Sequence, residues 1–352
     1  MALRAVDGGP GAPWRREPGG ALDELTVESD VLGGNPLGDP ALRPLYVYRP
    51  ADVVAGRTGR VPSIYVIQGY SGQLDMWQGR SAFQPTMIER LDDLFAVGDC
   101  PAGVIVFVDA WTSLGGSQFL NSSSTGRYLD YLCDEVVPFV DSRYPTLSDR
   151  DHRGIAGHSS GGYGAMVVPM LRPDVFGALA SHAGDALFEC CYQRDFPGIA
   201  RGLRDHFDGS YDALLQQARA ADPFDWSRFG TALSMYAYAT AYTPDPERPG
   251  KALLPFETAT GRLVPAVWER WLELDPVRMA PQRTEALGSM RRIVLEAGRS
   301  DEYFLDLGAE AFAAELRKLG VEHTLELFDG RHGGIAHRYP AAIGQLLLAL
   351  AG

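Results

Sequence analysis

Gly157-His158-Ser159-Ser160-Gly161 is the single G-x-S-x-G in this chain. A serine hydroxyl attacks a carbonyl carbon when it stands exposed beside a base. A sharp strand-to-helix turn exposes it, and side chains two residues to either side would collide there, so glycine occupies both positions. In a chain with 40 glycines the pattern alone is weak. Its surroundings give it weight, since Gly154-Ile155-Ala156 reads as a buried strand before it and a helical pattern opens at Gly161. Ser159 is the expected nucleophile. Ser160 is the rival, but its neighbours two residues away are His158 and Gly162, a poorer fit to such a turn. The bland alternative is a glycine-rich turn with an idle serine.

A nucleophile of this kind draws its partners from later loops, in the chain order serine, carboxylate, histidine. The apolar run 292–297 is followed by Gly298-Arg299-Ser300-Asp301-Glu302. The run 323–327 is followed by Phe328-Asp329-Gly330-Arg331-His332-Gly333-Gly334. Asp301 and His332 therefore stand in the expected loops. His332 would take the serine proton and pass it to the leaving group. Asp301 would hold the imidazole in the right tautomer and stabilise its charged form. Glu302 stays a second candidate for the acid, and Asp301 has a competing use as a helix cap. His337 competes with His332 but sits where the last helix is expected to begin. His152, His182, His206 and His323 show no partner pattern and read as structural.

The tetrahedral intermediate of such an attack carries charge on oxygen, which backbone N–H groups stabilise. One donor is the residue after the nucleophile, Ser160. The other is expected from Gln68-Gly69-Tyr70-Ser71-Gly72, with Tyr70 as the donor. An ordinary glycine turn is the alternative for this short loop. Gly69, Trp111 and His158 are expected to border the substrate, and His158, the second residue of the serine turn, also reads as a packing residue. No metal-ligand spacing appears, and the chemistry needs no metal or organic cofactor.

These residues need a scaffold that brings distant loops to one edge. Strands are expected around 25–29 and 45–48, separated by the turn-rich stretch 35–40. An alternation follows: strand 64–67, helix 87–95, strand 104–108, long helix 127–144, strand 154–156, helix 161–171 and strand 178–182. It resumes with strand 292–297, helix 305–319, strand 323–327 and helix 341–350. Such alternation predicts a mostly parallel sheet with helices on both faces. The rhythm breaks between 185 and 288. That division predicts a tail at 1–20, a catalytic domain of 21–184 plus 289–352, and a cap inserted at 185–288. The cap's Trp226, Tyr236, Tyr238, Tyr242, Trp268 and Trp271 either line a pocket or form the cap's own core.

The net charge of −13 disfavours nucleic acid or an anionic membrane as a partner, because both would repel the chain. Cys100, Cys133, Cys190 and Cys191 are too few and too irregular for a disulfide framework and read as buried free thiols. The first twenty residues lack the apolar run of a signal peptide, and no apolar stretch is long enough to span a membrane. A cytoplasmic protein acting on a small molecule is expected, with the oligomeric state open.

Taken together, the motifs resemble an esterase family of α/β-hydrolases that includes S-formylglutathione hydrolases (esterase D), enterochelin esterases, feruloyl esterase domains and mycolyltransferases. The resemblance rests on 104–109, Asp134-Glu135-Val136-Val137-Pro138, Tyr144, Asp149-Arg150, the stretch 153–165 around Ser159, and Pro173-Asp174-Val175-Phe176-Gly177. It extends to 297–302 as the acid loop and Gly330-Arg331-His332 as the histidine loop. It implies the α/β-hydrolase fold and cleavage of a carboxylic ester through an acyl-enzyme. Gln68-Gly69 stands where many relatives have His-Gly, Ser160 where many have Met, and His337-Arg338-Tyr339 where a tryptophan is common. These departures spare the three catalytic candidates and bear on substrate. Two alternatives accompany the esterase reading: an acyltransferase or thioesterase/siderophore esterase of the same fold, and a ligand-binding homologue without turnover.

Overall fold

The computed structural model describes residues 18–220 and 223–352. The expected tail falls outside them except for residues 18–20, where the N–H groups of Gly19 and Gly20 donate to the Asp92 carboxylate. Eight strands form one sheet: β1 (Ala21–Glu28), β2 (Leu42–Arg49), β3 (Ser63–Ile67), β4 (Val104–Val108), β5 (Arg153–His158), β6 (Ala178–His182), β7 (Arg292–Gly298) and β8 (Thr324–Phe328). Their spatial order is β1-β2-β4-β3-β5-β6-β7-β8. The hairpin β1–β2 joins the edge antiparallel to β4. From β4 onward every pairing is parallel.

The continuous apolar runs have a direct cause. Every residue of β3, SIYVI, and of β4, VIVFV, is buried, because helices cover both faces. Side chains alternate between two cores. Tyr65, Ile67, Val104, Val106 and Val108 enter one, and Ile64, Val66, Ile105 and Phe107 enter the other. The second core is covered by α1 (Met87–Val97) and later by the C-terminal helix. The first is covered by α2 (128–143) and α3 (Ser160–Leu171). The helix expected at 127–144 is interrupted by a π-helical stretch, Tyr131–Val136. Pro138 has no N–H to donate to the Asp134 carbonyl one turn back, and its ring crowds that carbonyl, so the turn widens.

Between β6 and β7 the longer elements among the described residues are helices, α4 (Phe196–Phe207), α5 (Tyr211–Ala220), α6 (Trp226–Tyr242) and α7 (Pro265–Leu272), with an irregular stretch at 243–264. Tyr236, Tyr238, Tyr242, Trp268 and Trp271 are buried in the same cluster as the first core, while Trp226 is 51% exposed. The Trp271 indole donates to Thr243 Oγ1 at 2.9 Å, and Tyr163 of α3 donates its hydroxyl to the Leu274 carbonyl at 3.1 Å. The inserted helices therefore share a core with the sheet rather than enclosing a separate one. The chain closes with α8 (Leu305–Lys318) and α9 (Tyr339–Leu350). All four cysteines are free thiols, with Cys133 and Cys191 buried and Cys100 and Cys190 half-buried. Among the described residues no helix is long and apolar enough to cross a membrane.

The carboxyl ends of β6 and β7 are tied by a buried side-chain contact. His182 and Glu296 are register partners, with Nδ1 2.6 Å from Oε1. Arg338 Nε approaches the same oxygen at 2.9 Å, and the His182 ring stacks on Tyr339. Burial pushes the Glu296 pKa up, but His182 and Arg338 outweigh it, so the carboxyl sits below the usual glutamate range. A carboxylate of depressed pKa contributes stability that is present above its unfolded value, about 4.3, and is lost as pH falls through the folded value. Glu296→Gln is therefore expected to flatten the fall in melting temperature over about pH 3–5. Thermal melts of both proteins across that range measure it. Parallel curves would show that Glu296 does not set the acid limb.

Candidate active site

β5 ends at His158 and α3 begins at Ser160, so Ser159 is the turn between them, at φ 58° and ψ −126°. An L-residue is strained there, and only surrounding structure holds it. Ser159 N–H donates to the His182 carbonyl at 3.0 Å, and its own carbonyl accepts from Tyr163 N–H at 2.8 Å. The flanking glycines are steric requirements. A Cβ on Gly157 would lie 2.3 Å from the Gly161 carbonyl oxygen, and one on Gly161 would lie 2.4 Å from that of Ile67.

The parallel register carries the ends of β7 and β8 to the same edge, β8 next to β7. His332 Nδ1 lies 2.8 Å from Asp301 Oδ2, and the Asp301 side chain is fully buried. Asp301 Oδ1 accepts from Tyr303 N–H at 2.8 Å, which fixes the carboxylate. Glu302, the rival acid, accepts instead from the His332 backbone N–H at 3.0 Å and pairs with Arg331. It holds the loop rather than the ring. His337 is exposed and faces the Gly334 carbonyl, away from Ser159's cavity.

His158 packs against His332, with ring centroids 4.4 Å apart, and its Nε2 lies 3.0 Å from the His332 carbonyl oxygen. Burial, with the His332 and His182 charges, holds its pKa well below the usual histidine range, so it stays neutral. A neutral His158 donates that N–H and pins the histidine loop. Tyr303 meets the His332 ring edge-on at 4.8 Å.

The loop after β3 presses on the serine turn. A Cβ on Gly69 would lie 3.0 Å from the His158 carbonyl oxygen and 3.3 Å from Ser159 Cβ. Gln68 is buried with its amide toward Asp109, which pairs with Arg43. Tyr70 is anchored by its hydroxyl, donated to the Leu114 carbonyl at 2.8 Å, and by its carbonyl, which accepts from Gly116 N–H. Ser160 is the first residue of α3, where a backbone N–H has no intrahelical partner.

Ser159, His332, Gly69, Tyr70 and His158 line one cavity of about 490 Å³. Trp111 does not. It lines an adjoining cavity of about 230 Å³, on the far side of Tyr70 and Trp226. Its strand pairs with Gly115–Gly116, and a side chain on either glycine would run into Tyr70, so the Trp111 hairpin buttresses Tyr70 instead.

A polar cluster escaped the sequence. Asp185 Oδ2 accepts from Tyr192 Oη at 2.8 Å, Gln118 Nε2 at 3.2 Å and Ser160 Oγ at 3.3 Å. Gln118 also reaches Tyr242 Oη at 2.8 Å. Asp185 and Tyr192 line the cavity that holds Ser159. The only available signal was position, since Asp185 follows the end of β6, at the edge where such sheets bind ligands.

The sequence profile of the family described as "Putative esterase" matches residues 42–339. Among curated proteins, the chain is 26% identical over 163 residues to an endo-1,4-beta-xylanase/feruloyl esterase of Xylanibacter ruminicola, over 45% of this chain and 21% of that one. It is 26% identical over 137 residues to the uncharacterized protein YbbA of Bacillus subtilis, 38% of this chain and 53% of that protein. The matched regions thus span about a fifth and about half of those relatives. Among solved structures, a ferulic acid esterase superposes with TM-score 0.60 at 18% identity, covering 94% of this chain and 98% of that one. The serine hydrolase FphF of Staphylococcus aureus gives 0.57 at 15%, covering 95% and 99%. An S-formylglutathione hydrolase from Agrobacterium tumefaciens gives 0.57 at 14%, covering 96% and 98%. The fold is that of the α/β-hydrolases, and the chain belongs to the "Putative esterase" family.

Proposed function

We propose that the protein hydrolyses a carboxylic ester through an acyl-enzyme on Ser159. The observation that carries the reading is the 2.8 Å contact of His332 with buried Asp301, in the cavity that Ser159 also lines. Ser159 Oγ attacks the scissile carbonyl while His332 takes its proton. The C–O bond to the leaving alcohol breaks as His332 returns that proton to it. Water then attacks the acyl-enzyme by the same route, releasing the acid and restoring Ser159. Asp301 holds the imidazole through Nδ1 and offsets its charge. The N–H groups of Ser160 and Tyr70 receive the oxyanion in this scheme.

The insertion 185–288 acts as the cap over this cavity, supplying Trp226, Met235 and Tyr238 to its wall. With Tyr70 and Tyr192 these add aromatic rings to the lining, which suits a small ring-bearing ester and agrees with the ferulic acid esterase likeness.

The test is hydrolysis of p-nitrophenyl esters of increasing chain length by wild type and Ser159→Ala. Turnover by wild type and a loss on the order of 10⁵-fold in the variant, which melts like wild type, are expected. Absence of turnover by wild type across the series would remove the esterase reading. The two candidate acids separate by the same assay. Asp301→Asn is expected to lower kcat by about 10³–10⁴-fold with KM little changed, because the imidazole is left in the wrong tautomer. Glu302→Gln is expected to lose at most about tenfold, having removed only a backbone contact and a surface ion pair. The reverse ranking would make Glu302 the acid.

A further inference from the structure

Asp185 is a buried carboxyl with a place in the substrate cavity and no role in the triad. Among the described residues no Lys or Arg pairs with it; its donors are the hydroxyls of Tyr192 and Ser160 and the amide of Gln118. All three reach the same oxygen, Oδ2. Burial pushes its pKa up, and Tyr192, Gln118, the His332 charge and Ser160 only partly oppose this. The backbone around it is costly. Gln118 has φ 55°, and Ala183 and Leu187, on either side of Asp185, have φ 45° and 57°. A buried carboxyl of this kind costs stability unless something in the working protein meets its charge.

Of the cavity's lining, the His332 imidazole bears on it but is engaged by Asp301. The lining holds a second carboxyl, Asp195, and contains no Lys or Arg. Asp185 contacts Ser160, whose backbone is the proposed oxyanion donor, so its charge opposes the oxyanion that forms there. His332, which hands a proton to the leaving alcohol, packs with His158 and Tyr303. The alcohol therefore leaves on the histidine side, and the acyl chain is left the rest of the cavity, which Asp185 lines.

Resting on the esterase reading, we propose that Asp185 is a specificity-determining residue that selects acyl groups carrying an N–H or O–H donor, an ammonium best of all, and rejects anionic acyl groups. A cationic acyl group meets the buried carboxylate and removes its opposition to the oxyanion. An anionic one adds a further negative charge to a cavity whose lining holds Asp185 and Asp195 and no Lys or Arg.

The test uses four p-nitrophenyl esters of near-equal size and one leaving group: butyrate, β-hydroxypropanoate, β-alanine and the half-ester of malonate. Each kcat/KM is corrected for the ester's uncatalysed rate. Wild type is expected to favour the β-alanine ester over butyrate by about tenfold or more, the worth of one charge-assisted hydrogen bond, with β-hydroxypropanoate between them. The malonate ester is expected at least about tenfold below butyrate. Asp185→Asn is expected to collapse both ratios toward one. Wild type that handles butyrate as well as β-alanine overturns the proposal even if the variant fails to fold, and leaves the esterase reading standing. The same ratios in wild type and folded Asp185→Asn overturn it too. If wild type hydrolyses none of the four and a fluorophosphonate probe leaves Ser159 unlabelled, the esterase reading falls and the proposal with it.

Discussion

At Ser159 the backbone turns through φ 58°, ψ −126°, and the turn closes only because Gly157 and Gly161 carry no side chain. Two further close approaches follow from it. Gly69 brings the loop after β3 against the His158 carbonyl, and Gly162 meets Gly184, where a Cβ would lie 2.7 Å from the opposing Cα. Each lets one loop at the carboxyl edge of the sheet touch the serine turn. The sheet makes this possible by running β3, β5, β6, β7 and β8 parallel, so that the loops after all five strands emerge together. The strain at Ser159 is carried by the backbone bond to His182, which is itself locked by Glu296, Arg338 and Tyr339. Stability at the strand ends and exposure of the serine are thus one arrangement.

The cavity combines two kinds of surface. One wall, which includes Trp226 and Tyr238, comes from a helix inserted between β6 and β7, whose core is continuous with that of the sheet. A shared core of this kind argues for a wall of fixed shape. Another part is polar, with the Asp185 cluster and the histidine pair both lining it with Ser159. The carboxyl held behind Ser160 and the carboxylate held behind His332 differ in what surrounds them. Asp301 meets an imidazole, and Asp185 meets only hydroxyls and an amide.

Much of this was legible in the chain because local chemistry dictated it. The elbow glycines, the strand before them and the two later loops each carry a signal in residue type and order, and Asp301 and His332 meet at 2.8 Å. The parallel strands read correctly because burial on both faces leaves continuous apolar runs. Other features depended on distance in space. Trp111 has the type of a substrate contact but pairs back into a hairpin behind Tyr70. Gln118 and Asp185 are 67 residues apart and meet through folded backbone that no periodicity announces. The π turn at Tyr131–Val136 was hidden because a proline inside a helical pattern can end, kink or widen the helix.

The central claim is that Ser159, activated by His332, is the nucleophile. Labelling with a fluorophosphonate, followed by peptide mapping by mass spectrometry, tests it most directly, because the probe forms a bond only with an activated serine. One adduct on Ser159 is expected in the wild type, with labelling abolished in folded His332→Ala. An adduct on Ser160, or equal labelling of Ser159 without His332, would contradict the account.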